Sequence, residues 1–187
     1  MESKTVYFEN PGRENTEKVL RVARQRAEEL GIKTIVVAST TGDTAVKAVE
    51  IFKDTRVIAV SHAAGFASPN TTEFTEENRR IVDSKGGIVL TTSHAFGGIS
   101  RAIRRKFNTY VIGEIIAGTL RIFGQGTKVV CEIAMMAADS GQVGTDEDVI
   151  SIAGTGRGAD TAVVLQPVNS SHFFELKIKE ILCKPRL

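Results

Sequence analysis

The run Ile35-Val36-Val37-Ala38-Ser39-Thr40-Thr41-Gly42-Asp43-Thr44-Ala45 carries the clearest chemical signal in the sequence. It reads as a buried strand that ends in a hydroxyl-rich turn and opens directly into a helix. Backbone N–H groups and hydroxyls then converge beside the positive end of the helix dipole, which suits an anion and above all a phosphate. Ser39, Thr40, Thr41, Gly42 and Thr44 are the residues expected to hold it. The same pattern also fits an ordinary strand-to-helix loop with Asp43 or Thr41 as N-cap.

Three further stretches repeat this chemistry. Ser61-His62-Ala63-Ala64-Gly65, Thr91-Thr92-Ser93-His94-Ala95-Phe96-Gly97-Gly98 and Gly154-Thr155-Gly156-Arg157-Gly158-Ala159-Asp160 each follow an apolar run. His62 and His94 are the candidate acid–base groups, since imidazole exchanges protons near neutral pH. The competing reading is that each only hydrogen-bonds a loop or a ligand. Ser61 and Ser93 precede the histidines directly, and neighbours on a strand end point apart. Neither Ser-His pair is therefore a nucleophile with its base, although a cross-loop pair of Ser61 with His94 stays open. Phe96 is a candidate stacking surface for a ligand ring or a core residue. No third histidine or carboxylate sits at a metal-ligand spacing, so no metal site is expected.

Gly154-x-Gly156-x-Gly158 looks like part of a dinucleotide fingerprint, but β-rich Thr161-Ala162-Val163-Val164-Leu165 follows it rather than a helix. A hairpin loop fits better, in which Gly154, Thr155, Gly156 and Gly158 approach a ligand and Arg157 pairs with phosphate in a bidentate manner. The alternative is a tight hairpin with an exposed arginine.

These loops need elements to carry them. Leu20, Ala23, Ala27 and Leu30 define one face of a helix over 17–30, capped by Asn15 or Thr16 and closed by Gly31. Strands are expected at 34–38, 56–60, 88–90, 149–153 and 161–168. Helices are expected at 44–52, at 76–84 with Thr75 as cap, and at 127–139. Another helix carries Ile99, Ile103 and Phe107 inward, with Arg101, Arg104 and Arg105 outside. That basic cluster with Lys106 reads as a solvated face, a subunit contact or a steering surface. Residues 113–127 read as an irregular connection, and 176–182 as a final edge strand or helix. Met135-Met136 reads as core. Asp146, Glu147 and Asp148 read as a turn rather than a metal site. The alternation of strands and helices implies an α/β three-layer sandwich with a mostly parallel sheet, and ligands bind beyond the carboxyl ends of such strands.

Bulk properties narrow the classes. The 187 residues fit a single domain spanning 1–187. A net charge of only +2 argues against nucleic acid as the partner. There is no membrane-length apolar run and no signal-like start, so a cytoplasmic protein with Cys131 and Cys183 reduced is expected. A homo-oligomer is an open expectation.

The 34–54 stretch, its following strand, and the 149–168 strands with their glycine loop resemble the carboxy-terminal α/β domain of pyruvate kinase, occurring without the catalytic barrel. The resemblance implies that Ser39, Thr40, Thr41, Gly42 and Thr44 match a phosphate turn, and that the 154–160 loop closes over the same ligand. It excludes pyruvate kinase activity, whose metal and substrate groups lie on the barrel. It also implies a phosphate-bearing cofactor, with flavin mononucleotide (FMN) as leading candidate. Two rivals remain: an enzyme acting on a phosphorylated metabolite through His62 or His94, and a sugar-phosphate-sensing regulatory module.

Overall fold

Aliphatic residues that point to both sides of short strands build the centre of the molecule. In β2 (Thr34–Ala38), Ile35 and Val37 enter one core while Val36 enters the other. In β3 (Arg56–Ser61), Val57 and Ala59 face the first core, and Ile58 and Val60 the second. Strands covered on both faces have no need of a polar side, which is why these segments read as continuous apolar runs.

The computed structural model describes residues 2–187. The remaining elements are β1 (Val6–Phe8), α1 (Thr16–Leu30), α2 (Asp43–Ile51), α3 (Glu76–Ser84), β4 (Ile88–Thr91), α4 (Gly98–Phe107), α5 (Ile112–Arg121), α6 (Gln125–Asp139), β5 (Val149–Ala153), β6 (Thr161–Gln166) and β7 (Lys177–Pro185). Seven strands form one sheet in the order β1-β7-β6-β5-β2-β3-β4. The β4-β3-β2-β5 half is parallel throughout, whereas β6 runs antiparallel to both its neighbours. Helices α1, α2 and α3 cover one face, and α5 and α6 the other, giving the expected three-layer α/β sandwich.

Several expectations need correction. Residues 113–127 are not an irregular connection, because α5 occupies most of them and α6 starts at Gln125. Gly113 and Gly118 lower helix propensity, but Ile116, Ala117 and Leu120 pack together against the second core and offset that cost. The last strand is interior: β7 lies between β6 and β1, and β1 supplies the edge that the sequence pattern hid. Ile99 and Phe107 do not face inward, at 79% and 65% exposed, and Leu30 is 37% exposed. Helix α4 buries none of its side chains completely, so its apolar stripe is not a core stripe. Met135 and Met136 are core residues as expected. Among the described residues no helix is long and apolar enough to cross a membrane, and no group of three metal-ligating side chains occurs.

Helix α6 is anchored by close approach at its start. A Cβ on Gly126 would lie 2.1 Å from Thr161 Oγ1 and 2.5 Å from Thr161 Cβ. On α5, a Cβ on Gly118 would meet nothing within 4 Å. Gly126→Ala is therefore expected to lower stability by about 1–3 kcal/mol, while Gly118→Ala leaves it unchanged or raises it by up to about 1 kcal/mol. Urea unfolding of the two variants checks this, and equal midpoints would contradict the tight crossing of α6 over β6.

Candidate functional site

The carboxyl ends of β2, β3 and β4 and the β5–β6 hairpin open onto one cleft of about 590 Å3. Ser39, Thr40, Thr41 and Thr44 form one wall, Ser61, His62 and His94 the next, and Gly154, Gly156, Arg157 and Gly158 a third. Eleven of the residues singled out from the sequence thus meet in one place, although they span more than a hundred positions of chain.

The first turn is held from behind. Gly42 adopts φ 106°, and a Cβ there would sit 2.4 Å from Asn78 Cβ and 2.8 Å from the Phe74 ring. Gly42 lets the turn lie against α3 and does not itself line the cleft. Neither Asp43 nor Thr41 caps α2. The buried Ser39 hydroxyl instead accepts from Ala45 N at 3.2 Å, and Thr41 Oγ1 donates to Asp43 Oδ2 at 3.1 Å. Asn78 Nδ2 fixes the turn by donating to Thr41 O and Asp43 Oδ1, each at 3.0 Å. Among the described residues the backbone N–H groups of 40–44 have no acceptor. They are the orphan donors of a helix start, and their cleft is also lined by Arg13, Arg157 and Lys47, the last lying 3.5 Å from Glu17 Oε1.

The glycine hairpin is equally well backed. Asp160, fully buried, accepts from Gly12 N and Thr155 N at 3.0 Å and from Thr161 Oγ1 at 2.7 Å. Thr16 Oγ1 accepts from Ala159 N at 3.0 Å. These bonds tie the hairpin to the start of α1 and leave Arg157 exposed at the cleft. Thr155 is taken up by its bond to Asp160 and is not a cleft wall.

The histidine wall differs from expectation in its aromatic partner. Phe96 is buried at 6% exposure, edge-on to Phe173, with its backbone N donating to Glu132 Oε1 at 3.1 Å. It lines the neighbouring cavity rather than this cleft, and Ser93 is exposed outside both. Phe66 takes the place predicted for Phe96. Its ring stacks on His62 at 3.9 Å, lies 5.1 Å from His94, and carries the Arg101 guanidinium over its face at 4.0 Å. The Ser61–His94 pairing does not form, because Ser61 Oγ bonds Thr91 Oγ1 at 2.7 Å.

Each imidazole has a carboxylate partner. His62 Nδ1 donates to Glu73 Oε2 at 2.7 Å, which leaves Nε2 as the proton-accepting nitrogen. His94 Nδ1 lies 3.7 Å from Glu132 Oε2, and its Nε2 receives a long contact from Ala63 N at 3.5 Å. Glu132 also pairs with Lys128 one turn earlier on α6, both side chains being buried. Burial opposes ionisation of Glu132, but contact with His94 and the Lys128 ammonium outweighs it and holds the carboxyl at about 2. Burial draws Lys128 below its ordinary value against the pull of Glu132. Cys131 and Cys183 are unpaired and pushed up to about 12 by burial, so neither supplies a thiolate. Glu73, Phe66, Lys128 and Glu132 were not legible as site residues, since none belongs to a motif.

Glu132 gives a pH prediction with a definite sign. Its folded pKa is depressed, so its contribution is present above the ordinary value of 4.5 and is lost as pH falls toward about 2. Glu132→Gln is expected to be less stable than the parent at pH 7, with the difference shrinking through that window. A difference in unfolding free energy that stays constant from pH 6 to pH 2.5 would show that the pair stabilises nothing by ionisation.

A family model for the pyruvate kinase alpha/beta domain matches residues 17–165. Among solved structures, a pyruvate kinase from Cryptosporidium parvum in complex with ADP aligns at 13% identity and TM-score 0.44, over 82% of this chain and 24% of that one. A second pyruvate kinase structure from the same organism aligns at 13% identity and TM-score 0.43, over 82% and 23%. O-ureido-L-serine synthase aligns at 14% identity and TM-score 0.32, over 74% and 50%. The chain spans about a quarter of the length of the pyruvate kinases it matches. With the family model covering most of its length, the chain belongs to the pyruvate kinase alpha/beta-domain family.

Proposed function

We propose that the cleft binds a phosphorylated small molecule, with FMN as the leading candidate. The observation that carries the reading is that Thr40, Thr41, Asp43 and Thr44, whose backbone N–H groups have no acceptor among the described residues, line the same cleft as Arg13, Lys47 and Arg157. Asp43 is the one carboxylate on that turn, and Asn78 and Thr41 hold both its oxygens. Oriented backbone donors beside several cations favour a compact dianion over a neutral ligand.

The rest of the cleft favours a flat, partly apolar body. Phe66, His62 and His94 give the cleft an aromatic, partly apolar wall, and a volume of about 590 Å3 falls within the usual range for cofactor-sized ligands. FMN would place its phosphate on the 39–44 turn and its ring system among these side chains. Bound FMN would supply reversible electron and hydride exchange. The chain's own contribution would be to hold the phosphate, stack the ring and close the 154–158 loop over it.

A second reading, an enzyme acting on a phosphorylated metabolite, draws support from one contact. The Glu73 carboxylate orients His62 so that its Nε2 is free to take a proton, the arrangement that general-base catalysis uses. A histidine substitution that abolished turnover while leaving ligand affinity intact would favour it.

The first measurement is the visible spectrum of the purified protein, with mass spectrometry of whatever acid or heat releases. A flavin spectrum with an FMN mass is expected, and a colourless protein that takes up no added FMN would remove that candidate. Thr41→Val with Thr44→Val is expected to weaken FMN by roughly tenfold or more, since each hydroxyl lost to a charged group is worth on the order of 1.5–3 kcal/mol. Riboflavin affinity is expected to change little. Equal losses for both would make the turn purely structural.

A further inference from the structure

Beside the cleft lies a second cavity of about 640 Å3 between α4, α5 and α6. The two share His94, Arg101, Arg121, Lys128 and Glu132, so they communicate across the end of α6. Its walls hold five cationic side chains, with Arg104 and Arg105 added to the three shared ones, against the two carboxylates of Glu114 and Glu132.

Those carboxylates do not neutralise it. Glu132 is consumed by Lys128 and Phe96 N, and Glu114 Oε1 accepts from Arg104 at 3.2 Å. Among the described residues Arg101, Arg105 and Arg121 form no ion pair. A concave site with uncompensated guanidinium groups concentrates anions, and each guanidinium can hold an oxyanion through two parallel N–H bonds.

One atom specifies the ligand further. Glu114 Oε2 is buried and accepts no hydrogen bond among the described residues. A buried carboxylate oxygen without a donor is costly and uncommon, and a ligand O–H or N–H is the kind of group that satisfies it. Glu114 lines the same cavity as Arg101, Arg105 and Arg121, so one small ligand can present its anionic group to the arginines and its donor to Glu114.

We propose that this cavity is a binding site for a small oxyanion, carboxylate or phosphate, that carries a neighbouring hydroxyl or amine. The anionic group lies among Arg101, Arg105 and Arg121, and the donor lies at Glu114 Oε2. The site goes beyond the phosphate reading of the first cleft and rests on different residues. If both hold, an anionic second ligand is brought against the His94 side of whatever occupies the first.

Glycerate is a suitable probe and propionate its control, a carboxylate of similar size without hydroxyls. Titration of each into the isotopically labelled full chain, followed by amide NMR shifts, reads affinity and location together. Saturable glycerate shifts are expected around 96–118, with propionate at least about tenfold weaker, the loss expected for a missing bond to a charged acceptor. Arg104→Gln with Arg105→Gln is expected to lose glycerate at least tenfold. Arg21→Gln with Arg80→Gln removes the same charge from exposed positions outside both cavities and is expected to change nothing. Gly118→Glu, at a cavity wall with open space for a side chain, keeps the fold and is expected to abolish binding. Comparison with glycerol 3-phosphate at the same amides distinguishes a carboxylate ligand from a phosphate one. Equal affinities for glycerate and propionate, or scattered shifts that never saturate, would overturn the site. So would parental affinity in the Arg104/Arg105 variant. Shifts at 96–118 that survive Thr41→Val with Thr44→Val separate this site from the first, whichever of the two fails.

Discussion

The buried ion pair of Lys128 and Glu132 is the interaction on which the arrangement of both cavities depends. Two charges taken out of water are costly, and the cost is met only when each has several partners. Glu132 meets that condition by accepting from Phe96 N, facing His94 Nδ1 and pairing with Lys128. In doing so it fastens the loop between β4 and α4 to the middle of α6. Helix α6 is itself pinned to β6 through the glycine crossing at 126. His94 therefore stands at a fixed place between the two cavities, although the loop that carries it is short of regular structure.

Around this pair the charge is distributed unevenly, and the division has a purpose in common with the topology. The parallel half of the sheet directs strand ends and helix starts to one edge, which supplies oriented N–H groups there without any charged side chain. Positive side chains are added by Lys47 on α2 and, from other elements, by Arg13 before α1, Arg157 in the hairpin, and Arg101 and Arg121 on α4 and α5. Backbone donors fix direction, and long cationic side chains adjust reach. The antiparallel hairpin matters here because a crossover helix in its place would remove the close glycine loop that brings Arg157 in.

The sequence disclosed the parallel-sheet half well, because its signals are local. Strand 34–38, the 39–44 turn and helix 76–84 with its Thr75 cap follow from apolar runs, hydroxyls and glycines within a few residues. Most of the first cleft was legible for the same reason. What stayed hidden depends on contacts far apart in the chain. The partnership of Glu73 with His62 spans 11 residues, and that of Glu132 with Phe96 spans 36. Lys128 and Glu132 have the i,i+4 spacing common to surface pairs, and nothing short of the sheet beneath them reveals that they are buried. Phe96 sits two positions after His94 and next to Gly97, a setting that fits a ligand surface and a core residue alike, and Phe66 lies in no motif. Only the T-shaped contact with Phe173 near the chain end decides that Phe96 is core. Helix α4 misled in the opposite way: Ile99, Ile103 and Phe107 have core spacing, yet the arginines between them line the second cavity.

The two histidines are not equivalent, and their surroundings divide the work between them. His94 is held on both ring nitrogens, by the Glu132 carboxylate and by the long contact from Ala63 N, and it looks into both cavities. A ring so engaged is suited to orientation and contact. His62 has one nitrogen committed to Glu73 and one face stacked on Phe66, with Nε2 left without a partner among the described residues. Arg101 lies over the same Phe66 ring, so a negative charge that develops beside His62 would find a guanidinium within the same aromatic cluster. If the second proposed reading holds, proton transfer at this edge would fall to His62. The role of His94 would be to set the distance between a phosphorylated ligand in the first cleft and an anion in the second.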